Sequence, residues 1–172
     1  MGTGFAAIGN SIELQPLTEG GTGSSSLSYY QPDFLPDRYE SGTLNVPGII
    51  GLNAGLDYLN NIGIEALFEK ESGLTEYLYE RLSELKKVKL YTDRPNSIKS
   101  SPILSFNIDG YSSEAVALEL AKKDICVRGG YHCSPLAHRH FKTIESGTVR
   151  VSLGCFNTKR EADKLIGVVK KL

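Results

Sequence analysis

The sequence predicts an α/β fold in which helices pack on a sheet. Beyond residue 86, segments with the two-residue alternation of strands are interleaved with segments of helical periodicity. Two amphipathic helices precede them in the chain. With 172 residues, 40% of them hydrophobic, the chain can bury one sizeable core, and a sheet covered by helices provides such a core.

The first 46 residues are predicted to form a part of their own, with a domain boundary between residues 46 and 47. They are rich in Gly, Ser and Pro, contain no lysine and show no continuous helical period. Because they cannot bury much apolar surface alone, we expect them to be partly disordered or to pair with another copy of the chain. Residues 47–172 are expected to form the domain that holds the core.

Two helices are predicted to open this domain. Apolar side chains at helical spacing indicate a packed first helix, and they are Ile49, Leu52, Leu56 and Leu59. Glycines on another face of this helix allow close backbone approach. A leucine stripe with charges on its far side predicts a longer helix over residues 64–85. The stripe consists of Leu67, Leu74, Leu78, Leu82 and Leu85.

The rest of the domain is predicted to alternate strand and helix. Strands are predicted at residues 88–92, 103–108, 125–128 and 148–153. A helix capped by Ser112 or Ser113 is predicted to run to about residue 123. Thr158 and Glu161 form a capping box that opens the last helix. Its apolar face comprises Ala162, Leu165, Ile166 and Val169.

Charge and composition argue against several classes of function. The formal net charge is −1, with −9 in residues 1–84 and +8 in residues 85–172, and we interpret the halves as complementing each other. The basic residues are scattered rather than clustered among aromatic ones, so no nucleic acid partner is expected. No apolar run approaches the roughly 20 residues of a membrane span, and no signal peptide is recognisable. Three cysteines without a CxxC pair favour a reducing compartment, so we expect a cytoplasmic protein.

The stretch VRGGYHCSPLAHRH, residues 127–140, concentrates the reactive side chains. It holds all three histidines and one of the three cysteines of the chain. Gly129 and Gly130 follow a predicted strand and permit a tight turn. This turn would place Cys133 on a loop at the end of the strand, where functional residues are common.

The residues alone leave three interpretations of this stretch open. One is a metal site, but zinc ligands usually come from two elements and this cluster lacks a second group, so we predict no metal. Another is a buried thiol flanked by surface histidines. The third makes Cys133 a nucleophile, whose thiolate Arg128 and a charged His132 would favour.

Several motifs in this chain follow one another in an order found in a known family. They are GTGF, GGTGS, RYESGTLNVPGIIGLNAGLDYL, RGGYHCSPL and SGTVRVSLGCFNTKREAD. Together they resemble the cysteine desulfurases of the class V aminotransferase family, which use pyridoxal phosphate, and the resemblance spans essentially the whole chain. It implies that residues 47–172 are the small C-terminal domain of a fold type I transferase. Residues 1–46 would then be a remnant of the large cofactor-binding domain with the interdomain segment.

The resemblance implies roles for four residues. Cys133 would be the nucleophile that takes sulfur from L-cysteine, leaving a persulfide on the enzyme and releasing L-alanine. Arg128 would bind the substrate carboxylate, which its planar fork matches. Thr22 would donate to the cofactor phosphate, with Gly21 allowing close backbone approach. In the family this contact crosses to the neighbouring subunit's site, which implies a homodimer, and a sulfur-acceptor protein is a further implied partner.

The family's Schiff-base lysine lies upstream of GTGF, as do the residues that hold the cofactor ring. We therefore expect this chain to be roughly the C-terminal 40–45% of a complete enzyme and to be inactive alone. Two alternatives to the desulfurase remain. One is a related class V aminotransferase or a selenocysteine lyase-like enzyme, and the other is a non-catalytic module that binds a sulfur acceptor.

Other polar residues of the chain are expected to have structural roles. Cys126 and Cys155 are interpreted as buried thiols, and His138 and His140 as surface residues of a short helix. His132 is expected to tune the thiolate of Cys133. Structural hydrogen bonds are expected from Arg38, Glu40, Thr43 and Asn45. Arg150 and Ser152 fit a half-buried strand, and we assign them no catalytic role.

Overall fold

The computed structural model describes residues 2–9, 11–96 and 100–172. The chain divides into two compact units, Met1–Ile62 and Gly63–Leu172, which are described in turn. This division follows contacts within the chain. The boundary at residue 46 concerns the large and small domains of the family, and it stays a prediction.

The first unit contains a short 3-10 helix, Asp37–Tyr39, ahead of a long helix. Side-chain contacts connect segments that are distant in its sequence. Arg38 Nη2 pairs with Glu13 Oε1 at 3.1 Å, and Asn45 Nδ2 donates to Thr3 Oγ1 at 3.0 Å. These contacts confirm the structural role expected of Arg38 and Asn45.

The predicted first helix is present as α1 (Val46–Ile62). Asn45 precedes it and acts as its cap, since the Asn45 Oδ1 accepts a hydrogen bond from the backbone N–H of Gly48 at 3.1 Å. The expectation that this helix is packed is wrong for this chain. None of its residues is buried, and Ile49 and Leu56 are 45% and 41% exposed. Its apolar side chains therefore gain little stabilisation from burial here.

The second unit is built on an antiparallel sheet, which in the described residues has four strands in the order β1-β2-β4-β3. The strands are β1 (Val88–Leu90), β2 (Ile103–Ile108), β3 (Arg128–Gly130) and β4 (Thr148–Ser152). The helices are α2 (Ile64–Ser83), α3 (Ser113–Ala121), α4 (Pro135–His140) and α5 (Lys159–Val169). The predicted α/β fold, with helices packed on a sheet, is confirmed.

The core lies between the sheet and helices α2, α3 and α5. Alternate side chains of the two central strands are buried, as the two-residue period predicted. The helices contribute Leu78 and Leu82 from the predicted leucine stripe of α2 and the predicted apolar face of α5. Fully buried members are Leu78, Leu82, Leu104, Phe106, Val116, Leu120, Val149 and Val169.

Helix starts also agree with the sequence. The Ser112 hydroxyl accepts a hydrogen bond from the backbone N–H of Ala115 at 3.2 Å, which caps α3. Thr158 and Glu161 form both hydrogen bonds of the predicted capping box at the start of α5. None of the helices in the described residues is long and apolar enough to cross a bilayer.

The strand predicted at residues 125–128 is shifted in the structure, where β3 covers Arg128–Gly130. Gly129 and Gly130 do not form the predicted tight turn; they pair with Val149 and Thr148 of β4. The physical reason is close packing of α3. A Cβ on Gly129 would lie 2.7 Å from the Ser113 carbonyl oxygen, so only glycine fits at this point of the strand.

Replacing Gly129 by alanine tests this packing. We expect Gly129→Ala to lower the free energy of unfolding by about 1–3 kcal/mol, as overpacking does. Gly167→Ala is a matched control, since Gly167 lies exposed in α5 with no atom within 4 Å of an added Cβ. Because alanine favours helices, this control should raise stability by about 0.5–1 kcal/mol. Urea unfolding measures both, and an unchanged midpoint for Gly129→Ala would contradict the packing argument.

Candidate functional site

The loop between β3 and α4, residues 131–134, contains two consecutive residues in the left-handed backbone region. They are His132 with φ 53° and Cys133 with φ 58°. For a residue with a side chain this conformation costs about 1–2 kcal/mol. Such a pair persists only where the surroundings hold it in place.

His132 connects this loop to β4. Its Nε2 lies 3.0 Å from the Thr148 carbonyl oxygen, and since a carbonyl only accepts, we assign the ring proton to Nε2. The other nitrogen, Nδ1, is buried and has no hydrogen-bond partner. The expectation that His132 is charged is therefore wrong at neutral pH. Burial lowers the pKa of His132, as do the nearby charges of Arg150 and Arg128, and the hydrogen bond to Thr148 only partly opposes this.

Cys133 presents an exposed thiol at this loop. The Nη2 of Arg128 lies 4.0 Å from its Sγ, so the guanidinium can pair with a negative charge on the sulfur. Arg128 is the first residue of β3, and the loop turns the chain back toward it. The structure thus brings together two of the residues that the sequence selected.

Arg150 is a site residue that sequence reasoning missed. The register of the sheet pairs it with Arg128 across β3 and β4, and its Nε is buried without a hydrogen-bond partner. In the sequence it reads as one polar position of an alternating strand. Its side-chain charge beside a second arginine on a neighbouring strand is visible only once the register is known.

His138 is buried rather than on the surface, with 5% of its area exposed. Its Nδ1 lies 2.8 Å from Thr143 Oγ1, and its Nε2 lies 3.0 Å from the Tyr131 carbonyl oxygen. The expectation failed because a helix of six residues is too short for its period to indicate the buried face. His140, two residues further on, is exposed as expected.

A cavity of about 240 Å³ lies beside this loop. His132, Arg150 and Thr92 line it, and each contributes a buried polar atom with no hydrogen-bond partner. Buried polar groups are nearly always paired in folded proteins. Because the lining includes the charged residue Arg150, the cavity is suited to a small polar or anionic ligand.

The other two cysteines lie outside this cluster. Cys126 is exposed and Cys155 is half-buried, so the expectation that both are buried thiols is wrong. Cys126 precedes β3 in a segment that the predicted strand would have covered, and it lies outside the observed ladder. In the described part of the chain, no three His, Cys, Asp or Glu side chains lie close enough together to hold a metal ion.

Gly21 and Thr22 belong to the first unit and are considered within it. Thr22 is half-buried, and its hydroxyl lies 2.8 Å from the Ser24 hydroxyl. Both residues line a cavity of about 290 Å³ together with Ser25, Ser26 and Ser28. A cluster of hydroxyl groups with a glycine that leaves the backbone open fits a phosphate group.

The comparison with protein families identifies the chain at the level of its family. Residues 1–165 match the model described as aminotransferase class-V. The chain belongs to the aminotransferase class-V family. This confirms the resemblance carried by the sequence motifs.

Similar proteins with this fold are cysteine desulfurases by name. A probable cysteine desulfurase of Methanothermobacter thermautotrophicus is 39% identical over 172 residues, covering 96% of this chain and 42% of the relative. The solved apo cysteine desulfurase of Thermococcus onnurineus has a TM-score of 0.73 and 36% identity, covering 80% of this chain and 34% of that one. The cysteine desulfurase CsdA of Escherichia coli, solved as an S-sulfonic acid, has a TM-score of 0.78 and 26% identity, covering 91% and 38%. The chain thus spans at most 42% of the length of these proteins.

The lowered pKa of His132 predicts how stability responds to pH. At a pH well above 6.5, its usual value, the residue is neutral in both states and contributes no pH dependence. As the pH falls below 6.5 the unfolded chain takes up the proton first, so the free energy of unfolding decreases until the folded-state pKa is passed. An NMR titration should give His132 a midpoint below 6.5, and His132→Gln should flatten that part of the stability curve. A midpoint at or above 6.5 would contradict the desolvated, neutral ring.

Proposed function

We propose that this chain supplies the sulfur-accepting part of a pyridoxal phosphate-dependent cysteine desulfurase, which converts L-cysteine to L-alanine and an enzyme persulfide on Cys133. The observation that carries the proposal is the exposed thiol of Cys133, held on a built loop with a guanidinium 4.0 Å from its sulfur. Relatives and solved structures named as cysteine desulfurases support it.

The proposed reaction requires that the sulfur of Cys133 can attack the substrate and that the resulting persulfide is exposed. Its sulfur, as the thiolate, attacks the sulfur of the substrate, so that an S–S bond forms while the C–S bond breaks. The substrate carbon keeps the electron pair of the broken bond and takes a proton, which gives alanine. Pyridoxal phosphate, when bound, supplies the electron sink that weakens the C–S bond. Exposure of Cys133 on a loop then leaves its persulfide accessible to a sulfur-acceptor protein.

Arg128 is proposed to bind the substrate carboxylate. A carboxylate placed beside Cys133 would lie within reach of its guanidinium, and arginine holds carboxylates in two parallel hydrogen bonds. Arg150 is a second candidate for this role, because it lines the cavity beside the loop and its buried Nε lacks a partner. An anion near both arginines would offset the repulsion between two like charges in register.

Gly21 and Thr22 are proposed to hold the cofactor phosphate in a homodimer, in which each phosphate turn serves the neighbouring subunit's site. The hydroxyl groups and open backbone around Thr22 support this assignment. The lysine that anchors the cofactor belongs, in this proposal, to the large domain, whose C-terminal part would be residues 1–46. A cytoplasmic location is proposed with it.

The first test replaces the thiol. Residues 1–172 would be joined to the remaining part of the Methanothermobacter relative, and the formation of alanine and of enzyme persulfide from L-cysteine would be measured. We expect Cys133→Ser to abolish persulfide formation while leaving cofactor absorbance intact. Cys126→Ser is the matched control, because Cys126 is also an exposed thiol, and it should keep full activity. Persulfide formation at the parent rate by Cys133→Ser would remove Cys133 from the reaction.

The second test separates the two arginines. In the same enzyme, loss of the carboxylate-binding arginine should raise KM for L-cysteine about tenfold or more, as expected for a charge-assisted pair. We expect this for Arg128→Ala, with Arg150→Ala measured beside it. A normal KM in Arg128→Ala together with a raised KM in Arg150→Ala would transfer the role to Arg150.

A further inference from the structure

We propose that His138 is a positioning residue that holds the turn carrying Cys133, so that the thiol stays beside Arg128. No step described above uses His138. The inference rests on the proposed role of Cys133 for its functional meaning. Its physical content, a clamp on one turn, is independent of that role.

The clamp follows from the two nitrogens of the His138 ring. The Tyr131 carbonyl only accepts, so Nε2–H of His138 donates to it at 3.0 Å. With this proton assigned to Nε2, Nδ1 accepts from the Thr143 hydroxyl at 2.8 Å. Both nitrogens are thus paired in a side chain that is 5% exposed, and the ring also meets Tyr131 edge-on at 5.4 Å.

The carbonyl that His138 holds is the one that closes the turn. The Tyr131 carbonyl oxygen also accepts from the backbone N–H of Ser134 at 3.0 Å. Between these two residues lie His132 and Cys133, both with positive φ, which is the sign pattern of a type I′ turn. Glycine, asparagine and aspartate usually occupy such central positions. A turn with histidine and cysteine there needs support from outside, and His138 provides it.

The far end of the clamp is itself anchored. Thr143 is 2% exposed, its backbone N–H donates to the His138 carbonyl at 2.8 Å, and its carbonyl accepts from Gly147 at 2.9 Å. The next residue, Thr148, receives the hydrogen bond of His132. The turn is therefore held from two sides, by the hydrogen bond of its own His132 to Thr148 of β4 and by His138 of α4.

The experiment uses this chain with Cys126→Ser and Cys155→Ser, so that Cys133 is its one thiol. The rates of alkylation of Cys133 by iodoacetate and by iodoacetamide are compared as a ratio. Both reagents need the same thiolate, so the ratio reports how the guanidinium of Arg128 attracts the charged reagent. A nearby exposed positive charge should raise this ratio about two- to fivefold, and Arg128→Ala defines its value without that charge.

We expect His138→Ala to lower the ratio to that of Arg128→Ala, because the freed turn no longer keeps the sulfur beside the guanidinium. His138→Gln can donate to the same carbonyl and should keep most of the parent ratio. His140→Ala, on the same helix but exposed, is the matched control and should leave the ratio unchanged. Amide exchange of Ser134, whose N–H donates to the Tyr131 carbonyl, should become faster by about tenfold or more, and exchange in β2 should stay unchanged.

Four outcomes would overturn the proposal. The first is an alkylation ratio in His138→Ala equal to that of the parent chain. The second is a loss of this ratio in His140→Ala as large as the loss in His138→Ala. If His138→Ala unfolds the chain, Thr143→Val removes one hydrogen bond of the clamp with a smaller change. Unfolding of this second variant too, or a parent ratio in it, would show that His138 serves the fold alone. None of these readouts measures sulfur release, so this inference and the proposed function fail separately.

Discussion

The pairing of β3 with β4 is the constraint on which the candidate site depends. β3 has three residues, of which two are glycine, and Gly129 lets the backbone of α3 approach closer than any side chain would allow. The resulting register sets Arg128 against Arg150 and ends the strand at Gly130. The turn with Cys133 begins at the next residue, so its position follows from the packing of the core.

This arrangement concentrates several energetically unfavourable features in a small region. Two residues with side chains adopt positive φ, two arginines face each other across a ladder, and the buried Nδ1 of His132 lacks a partner. Strain and unpaired polar groups tend to gather at functional sites, where the surrounding fold sustains them. The sustaining contacts here come from β4 and α4, which hold the turn through two histidines. An anion bound near both arginines would relieve their charge repulsion.

The sequence predicted those features that a period or a cap determines. Alternation along β2 and β4 identified the buried side of the sheet, and the capping box located the start of α5. The predicted position of β3 was wrong because glycine has no preference for strands. The pairing of these glycines with β4 depends on the packing of α3, which the sequence does not show. His138 was misplaced because it contacts residues outside its short helix, Tyr131 before it and Thr143 after it. The packing expected of α1 failed because periodicity shows an apolar face but not what covers it.

For the site, the sequence selected Cys133 and Arg128 and missed Arg150. A motif names residue types along the chain, whereas the opposition of two arginines on neighbouring strands depends on register. The sequence alone does not rank the three cysteines. Exposure does not single out Cys133 either, because Cys126 is exposed as well. What distinguishes Cys133 is the turn that holds it and the guanidinium beside it.

The most direct test of the account is therefore to locate the accepted sulfur. After a complete enzyme that contains this sequence has been incubated with L-cysteine under non-reducing conditions, mass spectrometry of its peptides should find one added sulfur atom on Cys133 and none on Cys126 or Cys155. Added sulfur on Cys126 or Cys155 with Cys133 unmodified would contradict the account.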